Sequence, residues 1–163
     1  MDLGKAVRDP WVWGQLILFL VVFAGVPLLS RFVNLGPADD ILNRPDPAWL
    51  RLLGGPVVAF GVGFAWWGVR SLGPNLTPGT EPVKDAELVT RGAYAHRRHP
   101  IYTGAVLILA GYSWLWSNWR MALLVAFLAD RYFEGKAAAE ERWLLERFPL
   151  YRSYQQQVTR RVL

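Results

Sequence analysis

The residues of this 163-residue chain best suited to chemistry gather in two places. One is the run His96-Arg97-Arg98-His99-Pro100-Ile101-Tyr102-Thr103-Gly104, and the other is the group Lys136, Glu140 and Glu141. Lys136 and Glu140 stand four apart, so on a helix they share a face. Such a pair can orient and polarise a polar ligand; on an open surface it would be an ion pair worth less than about 1 kcal/mol. Pro100 suits the first turn of a helix, where its missing N–H costs nothing. The N–H groups of Ile101, Tyr102 and Thr103 are then expected to face the preceding loop as donors for a carboxylate or a heterocycle nitrogen. Tyr94 and Tyr102 offer aromatic faces that can pack on a base or on a cation. Gly104 lets a helix or a ligand approach the backbone closely. His96 and His99, three apart, have no third metal ligand nearby, so no metal site is expected. The absence of cysteine excludes disulfides, zinc–thiolate sites and thiol nucleophiles.

The elements that must hold these groups read as membrane spans. Hydrophobic residues make up 53% of the chain and charged residues 19%, and the charges are segregated. Trp11 to Leu29 carries none, which is enough to cross a hydrocarbon core of roughly 30 Å. Leu52 to Val69, fenced by Arg51 and Arg70, is a second such run, and Ile101 to Asn118 a third. A fourth span over about 119–134 is shorter, with Asn118 as its N-cap. Its helix is expected to run on to about Phe148, leaving the membrane midway, with Asp130 and Arg131 near the interface. The spacing predicts an all-α polytopic membrane bundle of about four transmembrane helices (about 11–29, 52–69, 101–118 and 119–134). It forms one domain over 1–163 and carries a cytoplasmic C-terminal helix.

Charge sets the orientation. Four spans place Arg31, Arg44, Arg51 and Arg120 on one face, and the other fourteen of the 18 Lys and Arg, from Lys5 and Lys84 to Arg161, on the opposite face. The excess of basic residues marks the cytoplasmic side, so both termini and the loop from Ser71 to Arg98 are expected there. The same bias accounts for the net charge of +5 without a nucleic-acid partner. Trp11, Trp13, Trp49, Trp66, Trp67, Trp114, Trp116 and Trp119 fall near span ends, as an aromatic belt should. The first span is too long for a signal-peptide core and lacks a clear cleavage site, so it is expected to be retained. The loop is about 28 residues long, contains turn formers such as Pro78 and Pro82, and is of a length that is usually functional or disordered.

Several short motifs fall in a telling order: Glu87-Leu88-Val89, Gly92-x-Tyr94, Arg98-His99-Pro100-x-Tyr102-x-Gly104, Glu140-Glu141 with Leu144, and Phe148-Pro149-x-Tyr151-x-x-Tyr154. Over roughly residues 71–160 the chain thereby resembles the isoprenylcysteine carboxyl methyltransferase and phospholipid N-methyltransferase superfamily of integral membrane enzymes. The resemblance implies transfer of a methyl group from S-adenosylmethionine, with S-adenosylhomocysteine as product, to a lipophilic acceptor reached from the bilayer. It implies a cofactor-binding part over about 71–104 and 130–160, at the cytoplasmic face. Ala86, Glu87, Leu88, Val89, Tyr94, His99, Pro100, Ile101, Tyr102, Glu140 and Glu141 would bind the cofactor. Lys136 and Glu140 would serve catalysis, Lys136 standing where the family carries an arginine that faces the acceptor. Lysine is a point charge without arginine's bidentate grip, which weakens the inference to a carboxylate acceptor more than that to methyl transfer. For an amine or thiol acceptor, Glu140 or Glu141 would be the base. The superfamily also includes NADPH-dependent sterol reductases, so a reductase and a non-catalytic membrane protein on the same scaffold are the alternatives. Cofactor binding separates the three. The sequence identifies neither the acceptor nor the oligomeric state.

Overall fold

The computed structural model describes residues 7–32, 46–77, 79–80 and 86–163. Of the positions used above, Lys5, Arg44, Pro78, Pro82 and Lys84 lie outside the described residues. Those described form helices and turns with no strand among them. In chain order they are α1 (Pro10–Leu20), α2 (Val26–Phe32), α3 (Ala48–Arg51), α4 (Gly54–Leu72), α5 (Pro100–Trp116), α6 (Trp119–Arg147) and α7 (Tyr151–Gln157). A π-helical turn, Val21–Gly25, joins α1 to α2.

Helix α1 starts where its sequence allows. The Asp9 side chain accepts the Trp11 N–H at 2.9 Å and Pro10 occupies the first helical position. Pro27 then has no N–H to give the Phe23 carbonyl, four residues back. That carbonyl is met instead by the Tyr112 hydroxyl at 2.9 Å, with the Phe23 and Tyr112 rings 4.7 Å apart. The continuous apolar run offers no periodicity from which the π-turn could have been expected.

The helical stretches Pro10–Ser30 and Ala48–Asn75 are long and apolar enough to cross a membrane. Only 11% and 17% of their apolar windows are buried within the protein. A core helix of a soluble fold would be mostly covered, whereas here Leu16, Ile17, Leu20 and Phe60 face outward. The fold is that of a membrane protein.

Helix α4 packs on α5 through small residues, as membrane helices do when no hydrophobic effect drives them together. Gly54, Gly61 and Gly68 repeat every seven residues along the buried face of α4. A Cβ at Gly104 would sit 2.6 Å from the Gly61 carbonyl oxygen and 2.6 Å from the Ala65 Cβ. The α5–α6 corner is tight: Asn118 Oδ1 accepts the Met121 N–H at 2.9 Å, the N-cap expected from the sequence. Asp46 secures the same corner from outside, its carboxylate accepting from the Trp119 N–H at 2.8 Å and the Trp114 indole at 3.1 Å. From there α6 runs 29 residues unbroken, roughly 44 Å at 1.5 Å per residue. Its first half packs Met121, Val125, Ala129 and Phe133 against Val106 and Leu109 of α5 and Val22 and Val26 of the first helical run. Its second half carries Lys136, Glu140 and Glu141, with Ala137 still packed in that core.

Candidate functional site

The end of α4 begins the site. Gly73 adopts φ 56°, a conformation open to glycine, and turns the chain out of the helix. Asn75 then anchors the loop: its Nδ2 donates to the Leu72 carbonyl at 3.2 Å and its Oδ1 accepts the Glu87 N–H at 3.0 Å. This tethers the stretch 86–90 beside the helix end. Ser71 adds a second tether, its hydroxyl accepting the Ala93 N–H at 3.2 Å. The short 3-10 turn Gly92–Ala95 follows, and the Tyr94 carbonyl accepts the Tyr154 hydroxyl of α7 at 2.6 Å.

At the start of α5 the chain turns inward. Pro100 holds the first helical position, as its residue type requires. The N–H groups of Tyr102 and Thr103 do not face the loop, however, because both donate to the His99 carbonyl at 3.1 Å. The expected ring of open donors is therefore largely closed by the residue before the proline.

The C-terminal strap reinforces this closure. The Arg160 and Arg161 carbonyls accept the Arg98 and His99 N–H groups at 3.1 and 3.0 Å. The Val162 carbonyl accepts from the Thr103 hydroxyl at 2.5 Å and from the Arg97 guanidinium at 2.7 Å.

His99 sits between the two carboxylates of α6, its Nδ1 3.3 Å from Glu140 Oε2 and its Nε2 3.3 Å from Glu141 Oε1. The two then diverge in role. Glu140 accepts a hydrogen bond from the Tyr102 hydroxyl. The Tyr102 ring stacks on His99 at 5.5 Å and on Phe133 at 4.9 Å, which fixes the hydroxyl. Glu141 turns away, taking the Arg98 Nε at 2.8 Å, the Arg161 guanidinium at 3.1 Å and the Gln155 amide at 3.0 Å. Lys136, one turn before Glu140 and 1% exposed, donates from Nζ to Gln15 Oε1 of α1 at 2.7 Å. Its ammonium lies 5.2 Å from the centre of the Tyr102 ring.

These elements enclose a cavity of about 420 Å³. Ala86, Glu87, Leu88, Val89, Tyr94, His99, Ile101, Tyr102, Lys136 and Glu140 line it, together with Leu72, Leu76, Leu144, Phe148, Tyr151 and Tyr154. Two of the residues expected from the sequence do not. Pro100 packs into the helix start against the flank of Gly68, and Glu141 is drawn behind the wall by its basic partners. His96 is also elsewhere, tilted against the Trp67 ring at 5.4 Å, so the two histidines do not converge.

The charge states follow from these contacts. Burial works against an ionised Glu141, yet the hydrogen bonds from His99, Arg98 and Arg161 outweigh it and hold the carboxyl down to about 2. Burial likewise opposes a charged His99, and its bonds to Glu140 and Glu141 raise it above the usual histidine value. Burial, with the Glu140 charge nearby, pushes the Tyr94 phenol up. Burial pulls Lys136 down, against the opposing charges of Glu140 and Asp9.

Residues 49–150 match the family model described as phospholipid methyltransferase. The chain belongs to the phospholipid methyltransferase family. A protein-S-isoprenylcysteine O-methyltransferase of Schizosaccharomyces pombe is 34% identical over 76 residues, which is 46% of this chain and 32% of that relative. The chain thus spans about a third of the length of the curated relative it matches.

The family match takes in α3 to α6 but not α1, although α1 supplies Gln15 to the cavity. Sequence reasoning passed over Gln15, yet a signal was present: it is the one polar amide in the uncharged run Trp11 to Leu29. A buried polar group at membrane depth is costly and calls for a partner. Arg161 left no comparable mark among the many C-terminal arginines.

Proposed function

We propose that this chain transfers a methyl group from S-adenosylmethionine to a lipophilic, membrane-embedded acceptor at the cytoplasmic face of a four-span bundle with both termini in the cytoplasm. The observation that carries the reading is the cavity in which Glu140, Tyr94, Tyr102 and Lys136 meet an apolar wall of Leu88, Val89, Leu144 and Phe148. Its volume lies within the range of small-molecule sites. The lining also suits the donor chemically: apolar and aromatic walls for a nucleoside, and a fixed carboxylate and aromatic faces for a cation.

When bound, S-adenosylmethionine supplies an electrophilic methyl on a sulfonium, open to in-line displacement. The protein's contribution is then chiefly alignment. Tyr102 and His99 hold the Glu140 carboxylate in one orientation, where it balances positive charge. Lys136 presents a cation on the same helix face, one turn earlier, for the acceptor. If the acceptor is an amine or a thiol, Glu140 is the carboxylate placed to take its proton, since Glu141 is committed to Arg98, His99 and Arg161.

Calorimetric titration of the detergent-purified protein with S-adenosylhomocysteine tests the reading. Micromolar binding is expected, weakened at least tenfold in Glu140→Gln and in Tyr94→Ala. No binding to folded wild-type protein would overturn the proposal and favour a non-catalytic membrane protein.

A further inference from the structure

The first helix is tied to the site at two points outside the family-matched segment. Asp9, which caps α1, also accepts the Thr80 N–H at 2.7 Å and the Thr80 hydroxyl at 2.9 Å, joining α1 to the loop that lines the cavity. One turn further on, Gly14 and Gly135 permit close contact between α1 and α6. A Cβ at Gly14 would lie 2.9 Å from the Tyr132 ring, and one at Gly135 would lie 2.8 Å from the Trp11 ring. Each glycine precedes a polar residue, Gln15 on α1 and Lys136 on α6, and the close approach brings those two together. The Tyr132 hydroxyl adds a hydrogen bond to the Trp11 carbonyl across the same contact.

We infer that Gln15 is a positioning residue of this site: its 2.7 Å hydrogen bond to Lys136 Nζ holds the ammonium aimed over Tyr102 at the cavity wall, making α1 part of the working unit. Burial disfavours the ammonium form of Lys136; the charges of Glu140 on α6 and of Asp9 at the start of α1 oppose that, and the Gln15 amide oxygen adds a hydrogen-bond acceptor for it. Gln15 Oε1 is well suited to this, because an amide oxygen only accepts and cannot be protonated in the working pH range. A carboxylate in its place would further stabilise the cation, and an apolar side chain would remove this acceptor. The inference deepens the methyl-transfer reading by naming what holds the acceptor-side cation, and it rests on that reading for that role alone.

The test is a pH titration of the lysine side chains by NMR on the full chain in detergent, with lysine labelled at Cε. The sequence contains three lysines, Lys5, Lys84 and Lys136, and the Lys136→Met spectrum assigns the third signal. The Lys136 midpoint is expected to fall by about one pH unit in Gln15→Leu and to rise in Gln15→Glu. A role confined to packing would alter melting temperature but not this midpoint. Equal midpoints in the wild type and both variants would overturn the inference; should Gln15→Leu fail to fold, a Gln15→Glu midpoint at or below wild type would do so. No cofactor is needed for this measurement, so a failure of S-adenosylhomocysteine to bind would sink the methyl-transfer reading and leave the Gln15–Lys136 result standing.

Discussion

At the scale of single residues, the site is organised by one carboxylate that never reaches the cavity. Glu141 gathers Arg98, His99, Gln155 and Arg161 and so joins α5, α6, α7 and the strap. Removing one member of a buried ionic set is costly because the partners stay buried and unpaired. Glu141→Gln should cost about 3 kcal/mol and lower the melting temperature by about 10 °C. The pH dependence has two signs. Glu141 is depressed from an ordinary 4.5 to about 2, so its contribution is full above 4.5 and is lost as pH falls toward 2. His99 is raised from 6.5, so its contribution is full below 6.5 and is lost as pH climbs through the higher folded value. Melting temperature against pH should therefore form a plateau between about 4.5 and 6.5. Glu141→Gln should abolish the acid limb and, by removing one of the two carboxylates that raise His99, weaken the alkaline limb, whereas His99→Asn should flatten the alkaline side and leave an acid limb held by Arg98 and Arg161. A variant profile parallel to wild type would refute this division of labour.

At the scale of elements, the α4–α5 contact depends on missing side chains. Gly104→Val would push a branched group into the Gly61 carbonyl and Ala65, and overpacking of this kind costs about 1–3 kcal/mol. Gly63 lies on α4, the helix that Gly104 faces, with nothing within 4 Å of its Cβ position, so Gly63→Ala should change stability by less than about 0.5 kcal/mol. Thermal unfolding of the pair in one detergent separates a specific contact from a general intolerance of the glycine-rich helix. The starts of α5 and α6 were legible in advance, since Pro100 and Asn118 act through local rules that need no partner. The π-turn at Val21–Gly25 was not, because a helix apolar on all sides has no phase to read. Gln15 meets its partner 121 residues away, a distance that no local pattern spans. The strap was hidden for a different reason: apart from the Arg161 guanidinium, it acts through the carbonyls of Val158, Thr159, Arg160, Arg161 and Val162, which any side chains would have supplied.

At the scale of the whole molecule, the cavity is a joint product of segments distant in the chain. Residues 15, 75, 87, 94, 102, 136, 140 and 154 line it together, so no short contiguous fragment contains the site. The bundle's orientation can be read directly, because the chain lacks cysteine. Single cysteines at the exposed positions Arg91 and Arg152 should react with a membrane-impermeant maleimide in inverted vesicles and stay protected in intact spheroplasts. A cysteine at Trp49 should behave in the opposite way. Labelling of all three from the same side would refute the proposed topology. The residues that defined the family resemblance lie between the end of α4 and α7, where polar side chains such as Arg98, His99, Glu140 and Glu141 join the elements.

Pro27 and Tyr112 form a lock-and-vacancy pair whose members mask each other's loss. The proline orphans the Phe23 carbonyl and the tyrosine adopts it, so the two substitutions should not add. Tyr112→Phe alone leaves a carbonyl stranded in a low-dielectric surrounding, at a cost of about 1–2 kcal/mol. Pro27→Ala restores the helix's own N–H to that oxygen, and on this background Tyr112→Phe should become nearly silent. A double-mutant cycle giving a coupling of at least about 1 kcal/mol would mark this pair as a substitute hydrogen bond carried between helices. A lineage that loses the proline would then be free to lose the tyrosine as well.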